Sequence, residues 1–397
     1  MGVHDALRSS YVALHETLSD SRLLDYKWFA EQEADTWKHW VEMPLRRRLW
    51  LWHRGFTSPC GALYDLDAHG PDAYVSELQR YRLYRSLNGG HRYLLDDKLS
   101  QHWMLSEHPE NRPTAYGFVD RGYVHGLAGT EFDGDPVPVA EWLPGALRDQ
   151  GRLVLKQLRG HGGNEVVVCE YADGEFRLDG TPTTRAALCE RVAELSGSLV
   201  TEYVHQHEYA DELYPHATNT VRVLTLWDDE ARELVTAFAL HRVGTERSRP
   251  IDNYSAGGLT AEIDLETGTL GRAARKPFAG EVPWHDSHPD TGARIAGTRV
   301  PHWEAVRATV EHLARENTNV PAIGWDVVLD ESAEPVVLEA NTGTHLDLFQ
   351  VHRPLLADDR VARVAARHLP GVEAPPGEPR PGDGEPRATT ARAPPRR

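Results

Sequence analysis

The sequence predicts an α+β protein led by a mostly helical region. Short runs rich in β-branched residues recur from about residue 150 onward, among them "RLVLKQL", "NEVVVCEY", "TVRVLTLW" and "ELVTAFALHRV". Segments with apolar residues at helical spacing stand between them. The mixture of short strands and interspersed helices favours α+β packing.

Residues 1–90 are expected to be mostly helical. "ADTWKHWVEMPLRRRLWLWHRGF" is rich in Trp and Arg, with Trp37, Trp40, Leu45 and Trp50 as expected core contacts. "DAYVSELQRYRLYRSLN" sets Tyr74, Leu78, Tyr81 and Leu83 near helical spacing before Gly89 and Gly90 stop the helix. "LYDLDAHG" holds a DxD pair, Asp65 and Asp67, of the kind glycosyltransferases use for metal-bound nucleotide sugars. Alone, that pair has little specificity.

Further strands are expected at "GEFRLDG", "SLVTEYV" and "LTAEIDL". "TRAALCERVAEL" forms a helix with Leu188, Val192 and Leu195 on one face. "PHWEAVRATVEHLAREN" forms another, with Trp303, Val306, Val310 and Leu313 facing inward. In "GWDVVLDESAEPVVLEANTGTHLDLFQ", residues 324–350, two apolar runs flank Asp330, Glu331 and Ser332, which reads as an antiparallel hairpin. Residues 370–397, rich in Pro and Gly and poor in large apolar residues, are expected to be a disordered tail.

The 397 residues, 40% hydrophobic and 26% charged, suffice for two or three packed subdomains. A net charge of −17 argues against a nucleic-acid partner. No apolar run approaches the roughly 20 residues of a membrane span, and the N-terminus lacks a secretory apolar core. Cys60, Cys169 and Cys189 show no CxxC spacing, so neither a disulfide framework nor a zinc site is expected. A cytoplasmic protein without membrane insertion is therefore expected.

The hairpin raises a chemical question. Asp326 begins its first run, and Glu339 and Asn341 end its second, so the three side chains should share one rim. Residues 324–350 contain no Lys or Arg to neutralise them. Solvated turn chemistry is the plain reading; the sharper one is a hard divalent cation on oxygen ligands. Phosphate-binding parts would favour the second. "LVLKQLRGHGGNEVVV" offers Lys156 at a strand end, then Gly160, Gly162 and Gly163, whose N–H groups can crowd around phosphate oxygens. A strand follows, so this is no Walker loop, and a simple hairpin turn is the alternative. Lys98 stands just before an apparent helix. In "LVTEYVHQHE" a strand runs into a His-rich bend whose backbone can pair with adenine and whose Glu208 can reach a ribose. His205, His207 and His216 match no zinc-binding spacing. Arg222 lies mid-strand and needs a partner, and Arg242 ends the next strand. Asn253 with Gly257 and Gly258 makes a turn able to present N–H groups to an oxyanion.

This order of parts resembles the ATP-grasp superfamily. "NTVRVLTL", "IDNYSAGG", "HPDTG", "GWDVVL" and "LEANTG" are similar to its sugar-transfer-associated group, also described as glutamate-ligase-related. The resemblance spans roughly residues 55–355. Thr201 departs from it, since many such hinges carry an acid there. The resemblance implies an ATP-grasp domain over residues 91–369, two α+β subdomains gripping ATP. The lid would cover about 140–205 and the metal and phosphate core about 206–355. Lys98, Lys156 and the Gly loop would contact ATP phosphates, Glu202, Tyr203 and Val204 the adenine, and Glu208 the ribose. Asp326, Glu339 and Asn341 would hold one or two Mg2+ ions, with Mn2+ as an alternative. Arg222, Arg242 and Asn253 would steady the transferred phosphoryl group and the acyl intermediate. The charge that balances the rim would arrive with magnesium.

The implied activity is an ATP-dependent carboxylate–amine ligase working through an acyl phosphate. It would join a small or glycan-linked carboxylate to an amine in surface-glycan or natural-product biosynthesis. An ATP-grasp phosphotransferase and a non-catalytic nucleotide-binding module are the rivals.

Overall fold

The computed structural model describes residues 22–37, 43–127, 135–159, 166–277 and 281–375. Two antiparallel sheets organise them. The first contains β1 (Ala115–Asp120), β2 (Tyr123–His125), β3 (Val137–Pro138), β4 (Arg152–Gln157), β5 (Val166–Ala172), β6 (Glu175–Leu178), β7 (Thr181–Thr183) and β8 (Ser198–Glu202). Its order is β3-β2-β1-β8-β4-β5-β6-β7. The second contains β9 (Val221–Asp228), β10 (Glu233–Val243), β11 (Leu259–Ile263), β12 (Leu270–Arg275), β13 (Trp284–His285), β14 (Ala322–Leu329) and β15 (Pro335–Asn341). Here the order is β13-β12-β11-β10-β9-β14-β15. The fold is α+β.

The second sheet is covered on both faces, which is why every residue of β14 is buried. Successive strand residues point to opposite faces. Val223 accordingly packs with Trp303, Val306 and Val310 of the helix Trp303–Glu316. Its neighbour Leu224 packs instead with Leu83 and Leu87 of the helix Glu77–Asn88 and Val361 of the helix Asp359–His368. Burying each such side chain stabilises by about 1.5–3 kcal/mol. Val372 still packs against that second cluster, inside the stretch expected to be tail. Residues 376–397 lie outside the described residues.

Helices Val139–Gln150 and Arg185–Ala193 cover one face of the first sheet through Leu143, Leu147, Leu188 and Val192. The helix Val139–Gln150 is masked in the sequence by Pro144 within it and Pro138 at its N-cap. β1, β2 and β3 belong to this sheet, so it begins at Ala115 rather than near residue 140.

The N-terminal region is helical, with helices Arg22–Trp37, Leu45–His53 and Glu77–Asn88. Two expectations there need correction. Leu45 is 61% exposed, because its helix turns Arg48 and Leu51 inward instead. Arg48 is held by Glu33 at 3.1 Å, and that carboxylate also accepts from the Ser58 amide. Tyr74 is buried against Tyr64 but precedes the helix, which Ser76 and Gln79 start with a reciprocal capping box. Trp50 is partly buried, sandwiched by Arg47 and Arg54. Trp40 and the Trp37 side chain lie outside the described residues.

Candidate active site

The hairpin brings its polar residues together. Asp326 lies opposite Glu339 and Gly324 opposite Asn341, with the register shifting between Asp326 and Val327. Like charges directly opposite across a ladder repel, so the pair needs counter-charges. On its other side, Asp326 faces Arg222 of β9. Arg222 donates from Nε and Nη2 to both Asp326 oxygens. Arg242 Nη1 donates to Asp326 Oδ2 at 3.2 Å, and its Nη2 to Asp252 Oδ1 at 2.5 Å. Asp252 accepts in turn from the Thr220 amide at 2.9 Å and its hydroxyl at 2.6 Å. Lys98 Nζ lies 3.4 Å from Glu339 Oε1.

The rim is therefore balanced within the chain, correcting the expectation that its counter-charge arrives only with magnesium. The physical reason is burial. Asp326 is 5% exposed, and an unpaired carboxylate there would carry a large desolvation cost. Burial alone would push its carboxyl up, but Arg222 and Arg242 hold it below the usual range. The cations were invisible locally because they come from strands about a hundred residues away in sequence.

Between the two sheets lies a narrow, open cleft. Lys156, Leu199 and Thr201 line it from the first sheet, and Val337, Leu338 and Glu339 from the second. Lys98, Gln101, His102 and Leu105 close one side. Lys156 sits beside Leu199 in the β4–β8 ladder. Burial lowers its ammonium, with Lys98 adding to the effect and Glu339 and Asp326 opposing it. Burial and the adjacent Arg112 push His102 down to about 4, so this ring is neutral near pH 7. The Lys98 amide donates to Leu158 O at 2.9 Å, and Arg159 reaches Asp97 at 3.2 Å. These contacts fix the two lysine-bearing elements relative to one another.

Gln101, His102, Leu105 and Leu199 were not singled out from sequence, and Val337 and Leu338 were legible only as part of the hairpin's second apolar run. A signal existed, because 98, 101, 102 and 105 recur at i, i+3, i+4 and i+7, one face of a helix. Asp252 was also missed; it precedes Asn253 and carries the second half of Arg242's pairing.

The other expected site residues are placed as follows. Gly160, Gly162 and Gly163 lie outside the described residues. Glu202 closes β8, its carboxylate accepting from the Thr114 amide at 2.7 Å and its amide donating to Thr114 O. Tyr203 and Val204 follow directly and are half-buried; Glu208 is exposed at the start of the helix Glu208–Leu213. None of these four lines the cleft. His205, His207 and His216 each pack their ring against a tyrosine. Asn253 caps a single 3₁₀ turn through Ser255 N. Gly257 N donates to Tyr254 O and Gly258 N to Asn253 O, so the turn uses these amides itself rather than presenting them to an oxyanion. Gly258 is required by space, since a Cβ there would sit 2.5 Å from Asp252 O. The DxD pair is structural: Asp65 caps the helix Leu66–His69, and Asp67 pairs with Arg47.

Asp326, Glu339 and Asn341 supply hard oxygen donors, the kind Mg2+ takes alongside nucleotide phosphates. Glu339 fits this best, its side chain being 30% exposed toward the cleft.

A two-layer grip, a cleft with lysines on both sides and an oxygen-donor rim define the ATP-grasp class. The family model described as sugar-transfer associated ATP-grasp matches residues 78–364, and the chain belongs to that family. No curated protein matches it. Among solved structures, it is similar to an L-amino acid ligase from Bacillus licheniformis, at 12% identity over 63% of this chain and 41% of that one, with TM-score 0.31. An ADP complex of N5-carboxyaminoimidazole synthetase from Staphylococcus aureus is similar at 9% identity, with coverages of 66% and 48% and TM-score 0.34. A RiPP-associated ATP-grasp ligase from Chryseobacterium gregarium, with ADP and a leader and core peptide, is similar at 11% identity, with coverages of 71% and 66% and TM-score 0.36. The chain spans 41–58% of the length of several of the solved structures it resembles.

Proposed function

We propose that the protein is an ATP-dependent carboxylate–amine ligase forming an amide through an acyl phosphate. The observation that carries this reading is the cleft itself, where Lys98 and Lys156 flank Glu339 between the two sheets. Two ammonium groups beside a carboxylate rim suit a polyphosphate bound with a hard cation. In this reading Lys98 and Lys156 hold ATP phosphates, with Gly160, Gly162 and Gly163 supplying amides. Leu199, Thr201, Leu105 and neutral His102 enclose the base, and the backbone of 202–204 edges it, with Glu208 toward the ribose. Glu339 and Asn341 would hold Mg2+ or Mn2+, which would supply charge neutralisation for the phosphates, with Asp326 joining them where Arg222 or Arg242 yields one of its oxygens. Arg222 and Arg242 support that rim from behind and steady the transferred phosphoryl group, with Asn253 shaping the adjoining turn.

The substrate carboxylate attacks the γ-phosphorus, breaking its bond to the bridging oxygen and releasing ADP. The amine then attacks the acyl carbon, expels phosphate and loses a proton. Little covalent chemistry is asked of the protein, whose work is positioning and charge stabilisation. The family description, sugar-transfer associated, supports a sugar-linked substrate; surface-glycan or natural-product biosynthesis in the cytoplasm is the setting that goes with this reading.

The test is incubation with ATP, magnesium, a carboxylate panel and hydroxylamine. Hydroxamate dependent on ATP and on one carboxylate is expected. ADP release with a stable phosphorylated product would replace the ligase by a phosphotransferase. Tight ATP binding without turnover across the panel would replace it by a binding module.

A further inference from the structure

Metal-binding chemistry in this chain extends beyond the cleft. His312 and Glu316 stand one helical turn apart on the helix Trp303–Glu316, a spacing that sets both on one face. His108 meets them from the segment that follows the helix Lys98–Met104 and precedes β1. Its Nε2 lies 2.6 Å from Glu316 Oε2, and His312 Nε2 lies 3.5 Å from Glu316 Oε1. The two imidazoles meet edge to face at 5.2 Å. One ligand atom from each of the three residues falls within 4.8 Å of the others.

We propose that His108, His312 and Glu316 bind a zinc-type divalent cation that ties the segment before β1 to the helix Trp303–Glu316. Two imidazole nitrogens and one carboxylate oxygen are the donors such ions take, and water completes a tetrahedron. The set differs from the oxygen-only rim of the cleft, so the two sites select different metals. The ring orientation also fits. With His108 Nε2 turned to Glu316, its Nδ1 faces the Glu110 carboxylate at 3.8 Å, beyond hydrogen-bond distance but near enough for a small ring rotation to close.

Both elements are anchored by packing or hydrogen bonds. Trp303, Val306, Val310 and Leu313 bury one side of the helix. The His108 segment is held by its amide to Leu105 O at 3.1 Å, and by Asn111 Nδ2 to Pro335 O at 3.1 Å. Bonds of 2.0–2.2 Å place tetrahedral ligand atoms roughly 3.4 Å apart. The widest separation must therefore close by about an ångström or more, within reach of the exposed side chains of His312 and Glu316. Because His108 lies four residues past the end of the helix Lys98–Met104, the tie would restrain the element that carries Lys98 into the cleft.

The experiment is zinc titration of the full chain after chelator treatment, by competition with a chromogenic chelator near pH 7.5, with Co2+ absorption reporting geometry. One zinc per chain with micromolar or tighter affinity is expected. Co2+ should give a four-coordinate spectrum, and zinc should raise the melting temperature. His108→Ala, His312→Ala and Glu316→Gln should each weaken zinc tenfold or more while melting like the wild type in chelator. Glu339→Gln should bind zinc unchanged. Absence of stoichiometric zinc would overturn the site and leave a His–Glu ion pair. Loss in His312→Ala with full retention in His108→Ala would overturn the tie. Loss in Glu339→Gln alone would place the zinc in the cleft and equally overturn the proposal.

Discussion

The two sheets meet the cleft with different chemistry. The eight-stranded sheet presents Lys156 with Leu199 and Thr201, a cation on a mostly apolar wall. The seven-stranded sheet presents Glu339, backed by Asp326, Arg222, Arg242 and Asp252 in one continuous ion network. The first wall keeps a charge poised for something that arrives; the second has its charges satisfied before anything does. A perturbation of the buried network behind Glu339 should therefore damage the fold, and a perturbation of Lys156 or of the partly exposed Glu339 should damage binding.

The largest effect is expected at Asp326. Asp326→Asn leaves Arg222 and Arg242 buried without their shared carboxylate, which should cost about 3–5 kcal/mol of stability. Chemical denaturation measures it, and a loss under 1 kcal/mol would mean that the network is not what holds this wall. Because the folded carboxyl lies below its unfolded value, its stabilising contribution is full above roughly pH 4 and is lost as pH falls through the folded value. The variant should therefore lose less stability on acidification than the wild type does.

Lys156→Met should act on the opposite wall, weakening ATP binding by about tenfold to a hundredfold, the scale of a charged hydrogen bond. Apo stability should hold. Equal ATP affinity with a much lower melting temperature would reverse the comparison. The lowered ammonium adds a pH signature with two signs. Between its folded value and about 10.4, the unfolded chain binds more protons, so apo stability rises with pH. ATP affinity falls over the same window as the charge is lost. Lys156→Arg, which keeps its charge, should abolish that alkaline fall. Isothermal titration across pH tests this.

The smallest effect is expected far from both walls. Removing residues 376–397 should alter neither stability nor ATP affinity, because that stretch holds no large apolar side chain. Aggregation of the shortened protein would contradict this.

Much of the second sheet could be read directly. Strand β10 coincides with "ELVTAFALHRV", and the hairpin of β14 and β15 brings the start of one strand, at Asp326, beside the end of its partner, at Glu339 and Asn341. The first sheet was less legible at its start. β2 and β3 are three and two residues long, too short for alternation to register. Cross-strand chemistry was hidden for a different reason. The Arg222–Asp326 pair joins residues 104 apart, and only the ladder register of β9 on β14 brings them together. Arg222 announced that it needed a partner; nothing local said which.

The most direct measurement compares thermal melts of wild type and Glu339→Gln with and without magnesium-ATP. The substitution keeps the shape of the side chain and removes the charge that draws the cation. Activity should fall by orders of magnitude, each tenfold corresponding to about 1.4 kcal/mol of barrier. Without ligand the variant should melt near wild type, since the Glu339 carboxylate is partly exposed and meets Lys98 at 3.4 Å. With ligand, magnesium should raise the wild-type melting temperature well beyond that of the variant. Equal magnesium-dependent shifts in the two proteins would contradict Glu339 as the residue that holds the cation on ATP.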